Sequence, residues 1–231
     1  MRRSRAKRGA LIALCAGLAL LFAGLGVWQV ERLAWKRDLI ARVDARLAAP
    51  AVALEARETW PEYSKVWASG RFDHARETLV DALTERGKGY WVLTPLDTGD
   101  RTILVNRGFV PSERAAASTR PQGQLSGDVV VTGLVRLTEP GGRFLRANQP
   151  SADRWYSRDV ATIAAARDLS EVAPFFIDAD ATANPGGLPI GGLTVVSFRN
   201  SHLVYALTWF GLAGLCLFGL VLTLRTTHNG G

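Results

Sequence analysis

Three histidines bound the acid–base and metal chemistry open to this 231-residue chain. His228 belongs to a short terminal tail. His74 follows Arg71, Phe72 and Asp73 in a segment with turn character, where a solvated loop residue is expected. His202 differs, because it stands at the outer end of an apolar stretch, where a titratable group is costly unless it has a partner or a function. On a helix, His202, Tyr205 and Trp209 follow at spacings of three and four and share one face. Trp28, Arg32 and Trp35 form a comparable face at the end of the first apolar stretch. A neutral imidazole can ligate haem iron, aromatic rings can pack on a porphyrin, and Arg32 or Arg199 can pair with its propionates. A second reading stays open at this point: Trp and Tyr form interfacial belts, arginines snorkel, and a headgroup-level His can simply hydrogen-bond.

Enzyme chemistry finds little support. The sequence has no G-x-S-x-G, no H-E-x-x-H and no P-loop, and His74 is the one histidine between the apolar stretches apart from His202. Asp178 and Asp180 are expected to be loop residues.

The elements that must position these groups begin with two uncharged runs, residues 9–30 and 203–224, each of 22 residues. Roughly 20 apolar residues cross a hydrocarbon core of about 30 Å, so both are long enough to span it. A cleaved signal peptide has an apolar region of only about 7 to 15 residues ending in a small-residue site, whereas the first run continues into Trp28, Gln29 and Arg32. Gly9, Ala13 and Gly17 make a small-residue stripe of the kind that lets membrane helices approach closely, although Gly and Ala are common in spans anyway.

The net charge of +7 resembles a nucleic-acid binder's until it is partitioned. Arg2, Arg3, Arg5, Lys7 and Arg8 precede the first run and Arg225 follows the second; the remaining 22 Lys and Arg face all 21 Asp and Glu, so residues 31–201 carry only +1. No nucleic-acid partner is expected. Basic residues mark the cytoplasmic side, so residues 1–8 and 225–231 are expected to be cytoplasmic tails and 31–202 an extracytoplasmic domain. Neither tail is long enough for a signalling module, which disfavours a membrane-tethered sensor. Cys15 and Cys216 both lie in the apolar runs, so the outer domain has no disulfide and no thiolate metal site.

Residues 31–49 keep a helical repeat in Leu33, Leu39, Ile40, Val43 and Leu47, and Pro50 ends it. The following hundred residues change period. KVWASGRF, ETLVDAL, YWVLTPL, RTILVNRGFV and DVVVTGLVRL are short β-branched and aromatic runs separated by Gly-containing breaks. They predict an α+β domain with a mainly antiparallel, barrel-like sheet and a few helices. A helix is expected at 159–169, a strand at 174–179 and a Gly/Pro loop at 184–192.

GVWQVERLAWK at 26–36, YWVLTPL at 90–96, ILVNRGFVP at 103–111, ANQPSADRWYSRDV at 147–160 and RNSHLVYALTWFGLA at 199–213 closely resemble the blocks of the surfeit locus protein 1 family, in family order and over nearly the whole chain. The resemblance implies a non-enzymatic factor in cytochrome c oxidase assembly, acting early in the maturation of oxidase subunit I. For bacterial members it implies haem a delivery, which brings haem a as a transient cofactor and haem a synthase as a further partner beside the lipid bilayer. It matches His202 to the histidine proposed to bind haem a, Trp28, Gln29 and Arg32 to the first-span motif, and Asn106, Arg107 and Gly108 to the VNRG motif. For that motif a structural role is favoured, with Gly108 at a tight or positive-φ position and Arg107 anchoring the sheet. Two departures stand out: Asn200, Ser201, His202 where the family often has Asn-Asn-His, and Phe109 where it usually has Trp.

The leading alternative is a structural chaperone that stabilises subunit I while another protein inserts the cofactor. The absence of an Arg- and Ser-rich amphipathic presequence favours a bacterial plasma membrane over a mitochondrion, with the main domain periplasmic.

Overall fold

A computed structural model of the chain describes residues 2–55, 59–143 and 145–228. Met1 and residues 229–231, part of the expected cytoplasmic tails, lie outside the described residues. The chain divides into a helical unit, residues 1–43 with 197–231, and a compact unit, residues 44–196.

The helical unit holds most of α1 (Arg2–Ala48) and all of α3 (His202–His228). α1 carries straight through the first apolar run to Ala48, two residues before Pro50, whose ring disfavours helix in the residue preceding it. Ala6–Ala48 and His202–Arg225 are long and apolar enough to cross a membrane. Leu20, Leu21, Leu207 and Leu215 are exposed on them, which a core helix of a water-soluble protein would not tolerate.

The compact unit is built on seven strands: β1 (Val52–Ala53), β2 (Lys65–Phe72), β3 (Thr78–Thr84), β4 (Gly87–Asp97), β5 (Thr102–Pro111), β6 (Asp128–Leu137) and β7 (Val172–Ala179). A short helix, α2 (Val160–Ala166), is capped by Asp159, whose side chain accepts from the Thr162 amide. The sheet order is β1-β2-β6-β7-β5-β4-β3, and a further antiparallel pairing of β2 with β4 closes β2, β6, β7, β5 and β4 into a five-stranded barrel. Five of the strand pairings are antiparallel; β1 with β2 and β5 with β7 are parallel. The β5–β7 pair is reached by a long crossover that contains β6 and α2, as a parallel pair requires.

Closure demands that backbones come very close at the corner. A Cβ on Gly70 would lie 2.2 Å from the Asp97 carbonyl oxygen, so no larger residue fits where β2 turns onto β4.

Alternation along the strands sorts the core into two layers. Ile103, Val105, Phe175 and Ile177 join Val66, Leu96, Val131 and Val135 in one cluster. The intervening Leu104 and Phe176 face the other way and pack with Val80, Trp155, Val160 and Ile163 under α2. Both faces of β5 are therefore covered, which is why its sequence reads as a nearly unbroken apolar run.

Candidate functional site around His202 and the VNRG strand

Within the helical unit, α1 and α3 meet along a seam. On α1 it runs through Ala19, Phe22, Gly26, Gln29 and Leu33, at spacings of three and four, and on α3 through His202, Ala206, Trp209 and Ala213. Phe22 stacks on Trp209 with ring centroids 5.6 Å apart. Gly26 admits the Phe210 ring so closely that a Cβ would lie 2.6 Å from it.

At the end of the seam, His202 Nδ1 lies 2.8 Å from Gln29 Oε1, and Gln29 is only 8% exposed. An amide oxygen can only accept, so Nδ1 carries the proton and donates. The neutral ring then keeps its lone pair on Nε2, the atom that can bind a metal, while Gln29 fixes the tautomer and ring plane as an outer-shell partner does.

The other residues expected near a cofactor are placed differently from one another. Trp209 packs into the seam, but Tyr205 is 52% exposed. Trp28 is 50% exposed, Trp35 is exposed beside it, and the Arg32 guanidinium sits 4.6 Å over the Trp35 ring. Arg199 is exposed. The structure thus joins His202 to Gln29, and leaves Trp28, Trp35, Tyr205, Arg32 and Arg199 on accessible surface. The stripe of Gly9, Ala13 and Gly17 is exposed, with open space where a Cβ on either glycine would stand. Helix contact instead uses Ala19 and Gly26.

Among the described residues there is no group of three or more His, Cys, Asp or Glu able to hold a metal ion. A lone imidazole with Nε2 unbonded, on a helix pair that also carries exposed aromatic faces and exposed arginines, does fit a macrocycle that brings its remaining metal ligands with it.

In the compact unit, β5 presents the VNRG residues to three different surroundings. Asn106 Nδ2 donates to Asp178 Oδ1 across the β5–β7 register at 2.7 Å, and its Oδ1 accepts from the Gly108 amide. Arg107 points to the opposite face, stacks over Phe72 at 4.7 Å and donates to the Gly123 carbonyl and to Asn184 Oδ1. Gly108 has φ +126°, and a Cβ there would lie 2.1 Å from the Ile190 carbonyl oxygen.

Asp178 is not a loop residue. It lies in β7, is 3% exposed, and binds Arg136 Nη1 at 2.9 Å, Arg158 Nη1 at 3.1 Å and Thr194 Oγ1 at 2.9 Å in addition to Asn106. Burial pulls the Arg136 guanidinium down, but Asp178, then the bond to Glu62, outweigh it and hold it above its ordinary value. The alternation in PFFIDA could have revealed this, since Phe176 and Asp178 must share a face and that face is covered.

His74 is not a solvated loop residue either. It opens a short 3-10 turn, its ring lies 5.6 Å from that of Phe72, and Nε2 donates to the Leu125 carbonyl at 2.9 Å. Burial, and to a lesser degree the positive charges of Arg107 and Arg120, push its pKa down against the opposing pull of the Leu125 bond and Glu77.

A model of the SURF1 family matches residues 16–214. The chain is 41% identical over 211 residues to Surfeit locus protein 1 of Mus musculus, covering 82% of this chain and 67% of that protein. It is 39% identical over 213 residues to Surfeit locus protein 1 of Homo sapiens, covering 82% and 69%. To a SURF1-like protein of Monosiga brevicollis it is 37% identical over 224 residues, covering 89% and 84%.

Proposed function

The chain belongs to the SURF1 family of cytochrome c oxidase assembly factors, and from that premise we propose that it holds haem a through His202 and passes it to oxidase subunit I. The observation that carries this reading is the 2.8 Å bond from His202 Nδ1 to Gln29, because it fixes the ring plane and leaves Nε2 as the nitrogen available to a metal.

Haem a, if bound, would be held through its iron by the His202 imidazole and would be carried as cargo, with no reaction performed on it here. The chain's own residues do the rest. Gln29 orients the imidazole. Trp28, Trp35 and Tyr205 offer exposed aromatic surface, and the exposed Arg32, stacked over Trp35, and Arg199 supply cations for carboxylates. One imidazole from one chain gives modest affinity, which suits a carrier that must release its cargo.

The role is non-enzymatic. In a bacterial plasma membrane, α1 and α3 span the bilayer with both termini cytoplasmic, and the barrel domain is periplasmic, where it meets subunit I and haem a synthase. The test is the haem content of oxidase assembled in cells carrying His202→Ala at wild-type protein level. Haem-depleted oxidase is the expected result; fully loaded oxidase would overturn the proposal.

A second reading rests on the same bond. Buried Gln29 and half-buried His202 also tie one helix to the other, so the pair serves a structural chaperone as a latch. That reading predicts association with subunit I that survives replacement of His202 by a hydrogen-bonding Asn or Gln, with no pigment on the purified chain.

A further inference from the structure

The inner strand face that carries Ile103 and Val105 ends in a charge. Arg107 is 2% exposed, and no carboxylate pairs with it among the described residues. Its Nη2 is shared between the Gly123 carbonyl and Asn184 Oδ1, the latter at 3.1 Å, while Nη1 is buried with no acceptor among the described residues. Glu77, the acid nearest in effect, is gripped by Arg120, whose Nη1 donates to Glu77 Oε2 at 3.1 Å and whose Nη2 bonds Oε1. The two cations and one carboxylate leave a buried excess of positive charge. Burial accordingly pulls Arg107 to about 10, with Glu77 opposing and Arg120 adding to the shift. A buried cation without a counter-charge is costly, and Gln124 Nε2, one residue beyond Gly123, is a second buried donor without an acceptor.

Arg107 lines a cleft of about 120 Å³ at the mouth of the barrel. Phe72, Val105, Leu125 and Val131 make its wall, and Val130 at the rim is exposed. The other charged group in the lining, Asp180, has its carboxylate turned to the Thr182 amide and not to Arg107. Barrel mouths are a common place for small ligands to bind.

We propose that this cleft binds a carboxylate carried on a short apolar body, the carboxylate seated against the Arg107 guanidinium. The volume corresponds to roughly four water molecules at ~30 Å³ each, enough for a carboxylate and a few carbons. One unpaired guanidinium calls for one negative charge, and Asp180 at the rim penalises a second. The ligand is a free short acid or the carboxylate end of a longer apolar molecule, and chain length distinguishes them. The site lies wholly within the compact unit and does not depend on the reading of His202.

Calorimetric titration of the full-length chain in uncharged detergent with butyrate, hexanoate, butyramide and inorganic phosphate tests this. Butyrate should bind saturably, one per chain, and butyramide should not. Hexanoate binding more tightly than butyrate identifies the end of a longer molecule; hexanoate excluded while butyrate binds identifies a free short acid. Ala183→Phe, an exposed rim substitution, should weaken butyrate by about tenfold or more while leaving the melting temperature in place, and Asp180→Asn should tighten it. The proposal is overturned if neither acid gives saturable heat, if butyramide or phosphate binds as well as butyrate, or if Ala183→Phe has no effect.

Discussion

Asn106 and Asp178 face each other across the parallel β5–β7 register and are joined by an amide-to-carboxylate hydrogen bond of 2.7 Å, so the family motif on one strand and a buried acid on another form a single unit. Through Asp178 that unit reaches Arg136 on β6, Arg158 in the long connection before α2, and Thr194 beyond β7.

Asp178→Ala should therefore be severe. It strips the shared counter-charge from two largely buried arginines and leaves the Asn106 amide without its acceptor. Loss of one partner from a buried ion pair costs about 3–5 kcal/mol. Thermal unfolding of the full-length chain in detergent, followed by the circular dichroism of the sheet, should show a large drop. By contrast Arg71 and Asp128 pair on the open surface, and Arg71→Ala should leave the same midpoint unchanged.

Gly108→Ala should destabilise the barrel even though it adds a single carbon. The residue sits at φ +126°, and the new Cβ would meet the backbone carbonyl of Ile190, which cannot swing aside as a flexible side chain could. Strain of this kind costs on the order of 1–3 kcal/mol before the clash is counted. Equilibrium unfolding in urea should show a lower midpoint with the slope preserved.

His74 should give stability a dependence on pH. Burial, with Arg107 and Arg120 nearby, keeps its folded pKa below the ordinary 6.5, so below about 6.5 the unfolded chain binds a proton that the folded chain refuses. The contribution is complete above 6.5 and is lost as pH falls toward the lower folded pKa. Comparison with His74→Gln isolates it: the melting temperature of the variant should fall less steeply than wild type on acidification through this window. Parallel profiles for the two proteins would contradict the assignment.

Much of the barrel was legible because its strands obey local rules. The runs KVWASGRF and DVVVTGLVRL coincide with β2 and β6, since β-branched alternation and flanking glycines act within a few residues. A barrel-like sheet was expected and is present, but that β2 closes it on β4 and that β5 pairs in parallel with β7 were not legible, because those partners are chosen by contacts far apart in sequence. Asp178 was misread for a related reason: its acidic neighbours suggest a loop, and the arginines that bury it come from two distant segments. The spacing of His202, Tyr205 and Trp209 correctly describes one side of an isolated helix, but only the partner helix decides which part of that side is used. It selects His202, Ala206 and Trp209, and it finds Gln29, a residue 173 positions away.

The pigment carried by the full-length chain purified in detergent from cells that make haem a tests the central claim most directly, with wild type, His202→Ala and Gln29→Leu compared by absorbance and extraction. The account predicts haem a on the wild type, none on folded His202→Ala, and less on Gln29→Leu, where the imidazole is present but no longer oriented. Equal haem a on all three, or none on the wild type, would contradict it.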